Sequence, residues 1–390
     1  MGGTVTELAQ AFLNKTAVCG VGLKIGKYPD RTHLSLAAES FKLALDDCGM
    51  KREDVDGLIC LSFGSDYDRL LEALGVNVRY AYQGWSHGRF ISPMLQQAAM
   101  VVGMGLAKTV AIVHGRRSKA YGQPAEPEPW RQGLGPHGES PAYGALAPAF
   151  GAAIAAQRYF HMYGGGNEDL APVAVAFRKH ARMNPQAIRR DPMTTEDYLK
   201  SRWIIEPLRL FDCCQNNDGG ACIIVTSAER ARDCKKAPIY ISGMQGVHAG
   251  RDYHNLTLPG LGVAQQKVYK YEPKDEDLYA YKMAGITHKD VDLLMTYDAF
   301  TPLVLFVLER FGFCKPGEAR EYIKNGRIEL GGDIPINTSG GLLSEGHVIG
   351  WNLFIEAIRQ LRHECGERQV KDAQIAQYAC FLGESIIFRR

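Results

Sequence analysis

The sequence predicts an α/β protein built from two similar halves, and three observations carry that prediction. Apolar runs of strand length alternate with segments whose apolar residues recur at helical spacing. The alternation strand, helix, strand begins a second time near residue 238. Forty-two of the 390 residues are glycine, which supplies the tight turns and close backbone approaches that such packing needs.

The elements follow in order. Residues 16–23 (TAVCGVGL) read as a buried first strand. Residues 34–48 (LSLAAESFKLALDDC) carry an apolar stripe at helical spacing, and Gly49 stops the helix. Val55–Ser62 reads as a second strand, 91–104 as a helix buried on most sides, and Lys108–His114 as a third strand. Strands joined through helices imply a largely parallel sheet. Residues 119–145 break the pattern with Pro124, Pro127, Pro129, Pro136 and Pro141 and read as a long excursion. Residues 145–162 and 167–184 read as helices, and 192–199 as a turn into another, capped by Thr194 or Thr195. Then the pattern restarts. Pro238–Met244, Val291–Thr296 and Ala373–Cys380 read as strands, and 275–285, Pro302–Phe311 and Trp351–His363 as helices. The expected division is a first half over 1–235, with an insertion at about 115–235, and a second half over 236–390.

Composition excludes several classes. The formal net charge is +2, from 45 basic and 43 acidic residues, so nothing directs the chain to nucleic acid. The basic stretch Arg178–Arg190, with Arg182, Arg189 and Arg190, is either a solvated surface or a landing place for the phosphates of a nucleotide-like group. Ten cysteines show no CxxC pair and no secretory spacing. They read as reduced thiols of a cytoplasmic protein. No secretory leader is expected, and no apolar run is long enough to span a membrane. Asp212-Cys213-Cys214 and Asp218-Gly219-Gly220 supply neither a His/Cys tetrad nor a loop of alternating oxygen ligands, so no metal is assigned.

Three segments, in this order, resemble a known family. DCCQNNDGGACIIVTSAERARD (212–233) resembles the central signature of thiolase-like proteins, TYDAF (296–300) their Asn/His-Glu/Asp-Ala-Phe motif, and NTSGGLLSEGHVIG (337–350) their Gly-His motif. The nearest subgroup is that of the sterol-carrier, or lipid-transfer, thiolase-like proteins, which includes the steroid side-chain aldolases of bacteria. The resemblance implies two fused βαβαβαββ halves packed in five layers, a homodimer, and a substrate that is a CoA thioester. It brings coenzyme A as part of the substrate and no tightly bound cofactor. It also implies a small partner carrying an OB-fold and a zinc ribbon.

The departures from the family define the expected chemistry. A thiolase places its acylated cysteine at about Gly88 of this chain, where Tyr82–Phe90 (YQGWSHGRF) contains none. Serine there lacks the acidity of a thiol and needs a positioned base, which the adjacent His87 does not become by adjacency. His87 is nonetheless a candidate to project into the space a nucleophile would fill. Tyr297 stands where a thiolase has Asn or His and where the aldolases have tyrosine. His347 keeps the thiolase histidine where the aldolases have a second tyrosine. Cys380, in CFLG, lies near the family's second catalytic cysteine, although the glycines that should follow it have become Gly383-Glu384-Ser385.

The candidate catalytic residues are therefore Tyr297, His347, His87 and Cys380. The candidate contacts to the CoA thioester are Ser339, Gly340, Gly341 and Arg182. Tyr297 follows a strand and precedes a helix, where ligand crevices open in α/β folds. Asp298 is expected to order the turn. Each also has a structural reading, as a core tyrosine, a core cysteine, a histidine at a helix entrance, or a turn of the chain. Two proton-transfer groups without a nucleophile are what a carbon–carbon lyase needs to cleave a β-hydroxyacyl-CoA into a ketone or aldehyde and a shorter acyl-CoA. The alternatives are a thiolase or acyltransferase and a non-catalytic acyl-CoA or lipid binder.

Overall fold

The computed structural model describes Ala9 and residues 12–61, 67–84, 91–118, 148–248 and 278–390. His87 and the excursion over 119–145 lie outside the described residues. No described helix is long and apolar enough to cross a membrane.

The strands are β1 (Thr16–Gly26), β2 (Gly57–Leu61), β3 (Tyr80–Gly84), β4 (Thr109–Arg116), β5 (Trp203–Ile205), β6 (Leu208–Arg209), β7 (Asp218–Ser227), β8 (Ile239–Gln245), β9 (Leu293–Thr296), β10 (Ile375–Ala379) and β11 (Ser385–Arg389). Nine of them form one sheet in the order β3-β2-β4-β7-β1-β8-β11-β10-β9, and β5 and β6 form a separate hairpin. From the middle outwards the two sides repeat. β1 is antiparallel to β7, β7 is antiparallel to β4, and β4 is parallel to β2. On the other side β8 is antiparallel to β11, β11 is antiparallel to β10, and β10 is parallel to β9. Even the outer strand β3 has a vestigial counterpart, a single parallel bridge between Leu294 and Ile336. The two sides meet where β1 pairs β8 over only Ala17–Tyr240 and Val18–Ile239.

The first half's strands are buried on both faces, and their residues sort by parity. Ile59, Leu61, Val110, Ile112, Ala221, Ile223 and Val225 join the large core that extends into the second half. Their neighbours Leu58, Cys60, Ala111, Val113, Cys222 and Ile224 join a second core with Leu36's helix neighbours Ala37, Phe41 and Ala44. A strand's period of two produces this division. The helix His33–Cys48 starts on a Thr32 cap and ends at Gly49 with φ 75°. It lies hard against the sheet, because a Cβ on Gly22 would fall 2.0 Å from the Ser40 carbonyl and one on Gly220 would fall 2.3 Å from that of Leu36.

One boundary needs correction. The stretch 115–235 is not all insertion, since β7 lies within it and pairs β4 and β1 along its length. β7 is nearly continuous in apolar residues after two glycines. The helix Tyr67–Leu74, β3 and β11 were also unread. β3 (YAYQG) is largely exposed and carries no apolar run, whereas β11 (SIIFR) follows β10 after a short turn that looks like the end of the same strand.

Candidate active site

The site lies where parallel strands of both halves end. In the register of β9 and β10, Thr296 pairs Ala379, so the next residues, Tyr297 and Cys380, stand side by side. Tyr297 is 2% exposed and Cys380 fully buried. In the first half, β4 ends on Arg116, opposite Gly219 of β7. Such strand ends are where α/β folds build ligand crevices.

His347 comes into this space on a loop shaped by glycine. Its backbone N–H donates to Asn217 Oδ1 at 2.6 Å, just before β7. The loop around it holds Gly346 at φ 151°, Ile349 at φ 52° and Gly350 at φ 90°. Tyr297 Oη and His347 Nε2 are 3.2 Å apart. On the ring's other side, Arg116 Nη1 is 2.7 Å from His347 Nδ1 and also donates to the His347 carbonyl at 3.3 Å. Cys214 Sγ is 3.9 Å from the same Nδ1. Burial pushes the Cys214 thiol up to about 12, so it is present as S–H.

The turn beneath is held by a buried carboxyl. Asp298 Oδ1 accepts from Leu342 N at 2.9 Å and Oδ2 from Leu343 N at 3.2 Å, which caps the short helix Gly341–Ser344. Burial, opposed by these donors, raises Asp298 to about 7. Asn337 brackets the end of β9, with its Oδ1 accepting from Thr296 N at 2.8 Å and its Nδ2 donating to Thr296 O at 2.9 Å. A second buried acid, Asp212, accepts from Tyr198 and Thr301. Because Cys214 N donates to Ala299 O at 2.9 Å, the loop that carries Cys214 is tied to the turn that carries Tyr297.

Several expected contact residues do something else. Ser339 Oγ donates to Glu345 Oε2 at 2.6 Å, Gly340 N donates to Asn337 O at 2.8 Å, and the amides that follow Gly341 are taken by Asp298. All three residues are buried, and the Gly340, Leu342 and Leu343 amides are engaged within the turn itself. Arg182 is exposed at the end of the helix Ala171–Arg182, where its carbonyl accepts from Arg190. Among the described residues no group of three His, Cys, Asp or Glu side chains is placed to hold a metal ion. Arg116, Cys214 and Asn217 went unrecognised in the sequence. Only Cys214 and Asn217 had a signal, because they fall inside the DCCQNNDGG segment.

Comparison with known proteins places this geometry. Residues 277–382 match the thiolase C-terminal domain-like family. The chain is 37% identical over 372 residues to a steroid side-chain-cleaving aldolase of Thermomonospora curvata, with 89% of this chain and 90% of that protein covered. The chain belongs to the thiolase-like superfamily, in its sterol-carrier subgroup. It is also 36% identical over 371 residues to a 17-hydroxy-3-oxo-4-pregnene-20-carboxyl-CoA lyase of Mycobacterium tuberculosis, covering 89% of this chain and 92% of that one. A solved structure named Ltp2-ChsH2(DUF35) aldolase superposes with a TM-score of 0.87 at 32% identity, over 97% of this chain and 98% of that one. The thiolase-like fold, α/β with a mixed sheet and repeated halves, is thus common to the sequence motifs, the strand order and the relatives.

Proposed function

We propose that this chain is a carbon–carbon lyase that cleaves a β-hydroxyacyl-CoA by a retro-aldol reaction, with a steroid side chain as the acyl group. The observation that carries the reading is the Tyr297–His347 pair, joined at 3.2 Å where parallel strands end, in a chain whose 82–90 segment has no cysteine. The reaction needs a group that takes the β-hydroxyl proton. It then needs the Cα–Cβ bond to break, a ketone or aldehyde to leave, and a proton to return to Cα of the acyl-CoA. Coenzyme A enters as part of the substrate. The aldolase and lyase names of the two relatives support the same class.

The two-part name of the solved aldolase supports a second protein as partner, for which the family resemblance implies a small OB-fold and zinc-ribbon chain. A homodimer is supported by the open edge at β3, where Tyr82 is 39% exposed. A cytoplasmic location is consistent with ten cysteines, none of them in a disulfide.

The test is turnover of branched β-hydroxyacyl-CoA thioesters, with and without the partner. Product ketone should appear with the unaltered chain and fall at least about 100-fold in Tyr297→Phe and in His347→Ala, with thioester binding retained. Variants that turn over like the parent would overturn the reading. The Cys214–His347 contact favours a second reading, acyl transfer through Cys214. That reading requires a mass increment on Cys214 after exposure to acyl-CoA, and a thiol raised to about 12 works against it.

A further inference from the structure

The hydrogen bonds around His347 have one direction. A guanidinium only donates, so the 2.7 Å contact from Arg116 Nη1 requires Nδ1 to be the ring's acceptor. The Cys214 thiol approaches the same nitrogen and, held as S–H, also donates. A ring whose Nδ1 accepts carries its proton on Nε2. Nε2–H then donates to Tyr297 Oη, and the phenol does not give its own proton to the imidazole. Arg116 also spans the ring's base by donating to the His347 carbonyl, which fixes the two groups in register. Among the described residues no carboxylate forms an ion pair with Arg116, and its guanidinium lies against the imidazole.

We propose that Arg116 is a positioning residue that locks His347 as a neutral Nε2–H donor to Tyr297, so that Tyr297, not His347, is the group that takes the substrate's hydroxyl proton. The donor chain runs from Arg116 through His347 to the phenol oxygen of Tyr297 and favours the phenolate, since a hydrogen bond to a charged form stabilises it. The phenolate takes the β-hydroxyl proton as Cα–Cβ breaks and Cβ–O becomes a carbonyl. The phenol then returns that proton to Cα of the enolate, and the imidazole is unchanged over the cycle. The chemical half of this proposal rests on the lyase reading; the tautomer half does not. Among the described residues, the other titratable groups around this pair are Cys214, Asp298, Cys380 and Tyr378, with Glu384 beyond Tyr378. Cys380, Glu384, Tyr297 and Asp298 all act electrostatically on Tyr378.

The test uses the full chain labelled with nitrogen-15 histidine. Long-range proton–nitrogen correlation reads each ring's tautomer directly, and His347→Gln assigns the signal. His347 should appear as the neutral Nε2–H form between pH 6 and 8, because a guanidinium in contact opposes a second ring charge. In Arg116→Gln the ring should become a mixture of tautomers and protonate within that range. Arg116→Lys, which retains a charged donor, should recover most of the Nε2–H form. If lyase turnover is present, the acidic limb of kcat/KM should move up by about one pH unit in Arg116→Gln and return toward the parent in Arg116→Lys. A parent spectrum showing Nδ1–H or imidazolium overturns the proposal, as does an Arg116→Gln spectrum identical to the parent's. If Arg116→Gln does not fold, the parent spectrum together with Arg116→Lys still decides it. A chain with the expected tautomer and no turnover sinks the lyase reading and leaves the role of Arg116 standing.

Discussion

Gly341 shows how narrowly the site's floor is built. A Cβ there would sit 2.2 Å from Asp298 Oδ2 and 2.8 Å from Asn337 Nδ2, on a backbone at φ 61°. Gly285 has a similar φ of 67° but nothing within 4 Å of an added Cβ. Gly285→Ala therefore isolates the backbone cost, about 1 kcal/mol. Gly341→Ala adds displacement of the carboxyl that caps the turn, and we expect a loss of about 2–4 kcal/mol in urea unfolding. Equal losses in the two variants would show that the Asp298 contact is not what requires glycine. The same residues mark the limit of what a sequence reveals. Tyr297 and His347 were legible because each sits in a short motif with glycines or a strand end beside it. Arg116 was not, because its role depends on a partner 231 residues away and nothing beside it in the chain announces that. The NTSGG turn has a packing role that the sequence does not announce. Its glycines also allow close approach to Asp298 and Ala181.

At the scale of elements, strands buried on both faces were the easiest to read, since β1, β2 and β4 are nearly continuous apolar runs. β3 was missed because an exposed edge strand has no reason to be apolar, and β11 because a hairpin with a short turn merges two runs into one. The helix Pro302–Arg310 is buried along its whole length, and that includes Glu309. Glu309 Oε1 accepts from Tyr159, Gly317 N and Ala319 N, while Oε2 accepts from none of the described residues. Burial raises this carboxyl from 4.5 to about 7. The folded form thus holds a proton that the unfolded chain releases earlier. The stability this contributes is full below about pH 4.5 and is lost as pH rises through 7. Glu309→Gln removes that dependence. Between pH 5 and pH 8 the parent should lose roughly 2 kcal/mol relative to the variant in urea unfolding. Parallel stability curves would contradict the raised carboxyl.

At the scale of the molecule, the two halves are stitched by little sheet and much side chain. β1 and β8 share two residue pairs. Beside them Arg362, whose side chain is 1% exposed, reaches from the end of the second half's helix Trp351–Leu361 into the first half. It contacts Asp47 Oδ2 at 2.7 Å, Cys19 O at 2.7 Å and Ala237 O at 2.9 Å. Removing it leaves a carboxylate and two carbonyls short of a donor. Arg362→Ala should cost about 3–5 kcal/mol and split the single urea transition into two, as each half begins to unfold separately. One transition at the parent's midpoint would mean that the halves cohere by packing alone.

The ends of the nine-stranded sheet are unlike each other. At one end β3 is the outermost strand, with no further strand beside it among the described residues. At the other, the outer side of β9 is closed by its own chain, with Leu294 N donating to Pro335 O and Asn337 N to Leu294 O, each at 3.0 Å. A sheet open at both ends can recruit copies head to tail without limit and grow into a fibre. A sheet open at one end can only meet a copy's matching edge, and that union consumes both. Were copies to associate through the sheet, the few residues at 335–337 that sheathe β9 would set a stopping rule of two.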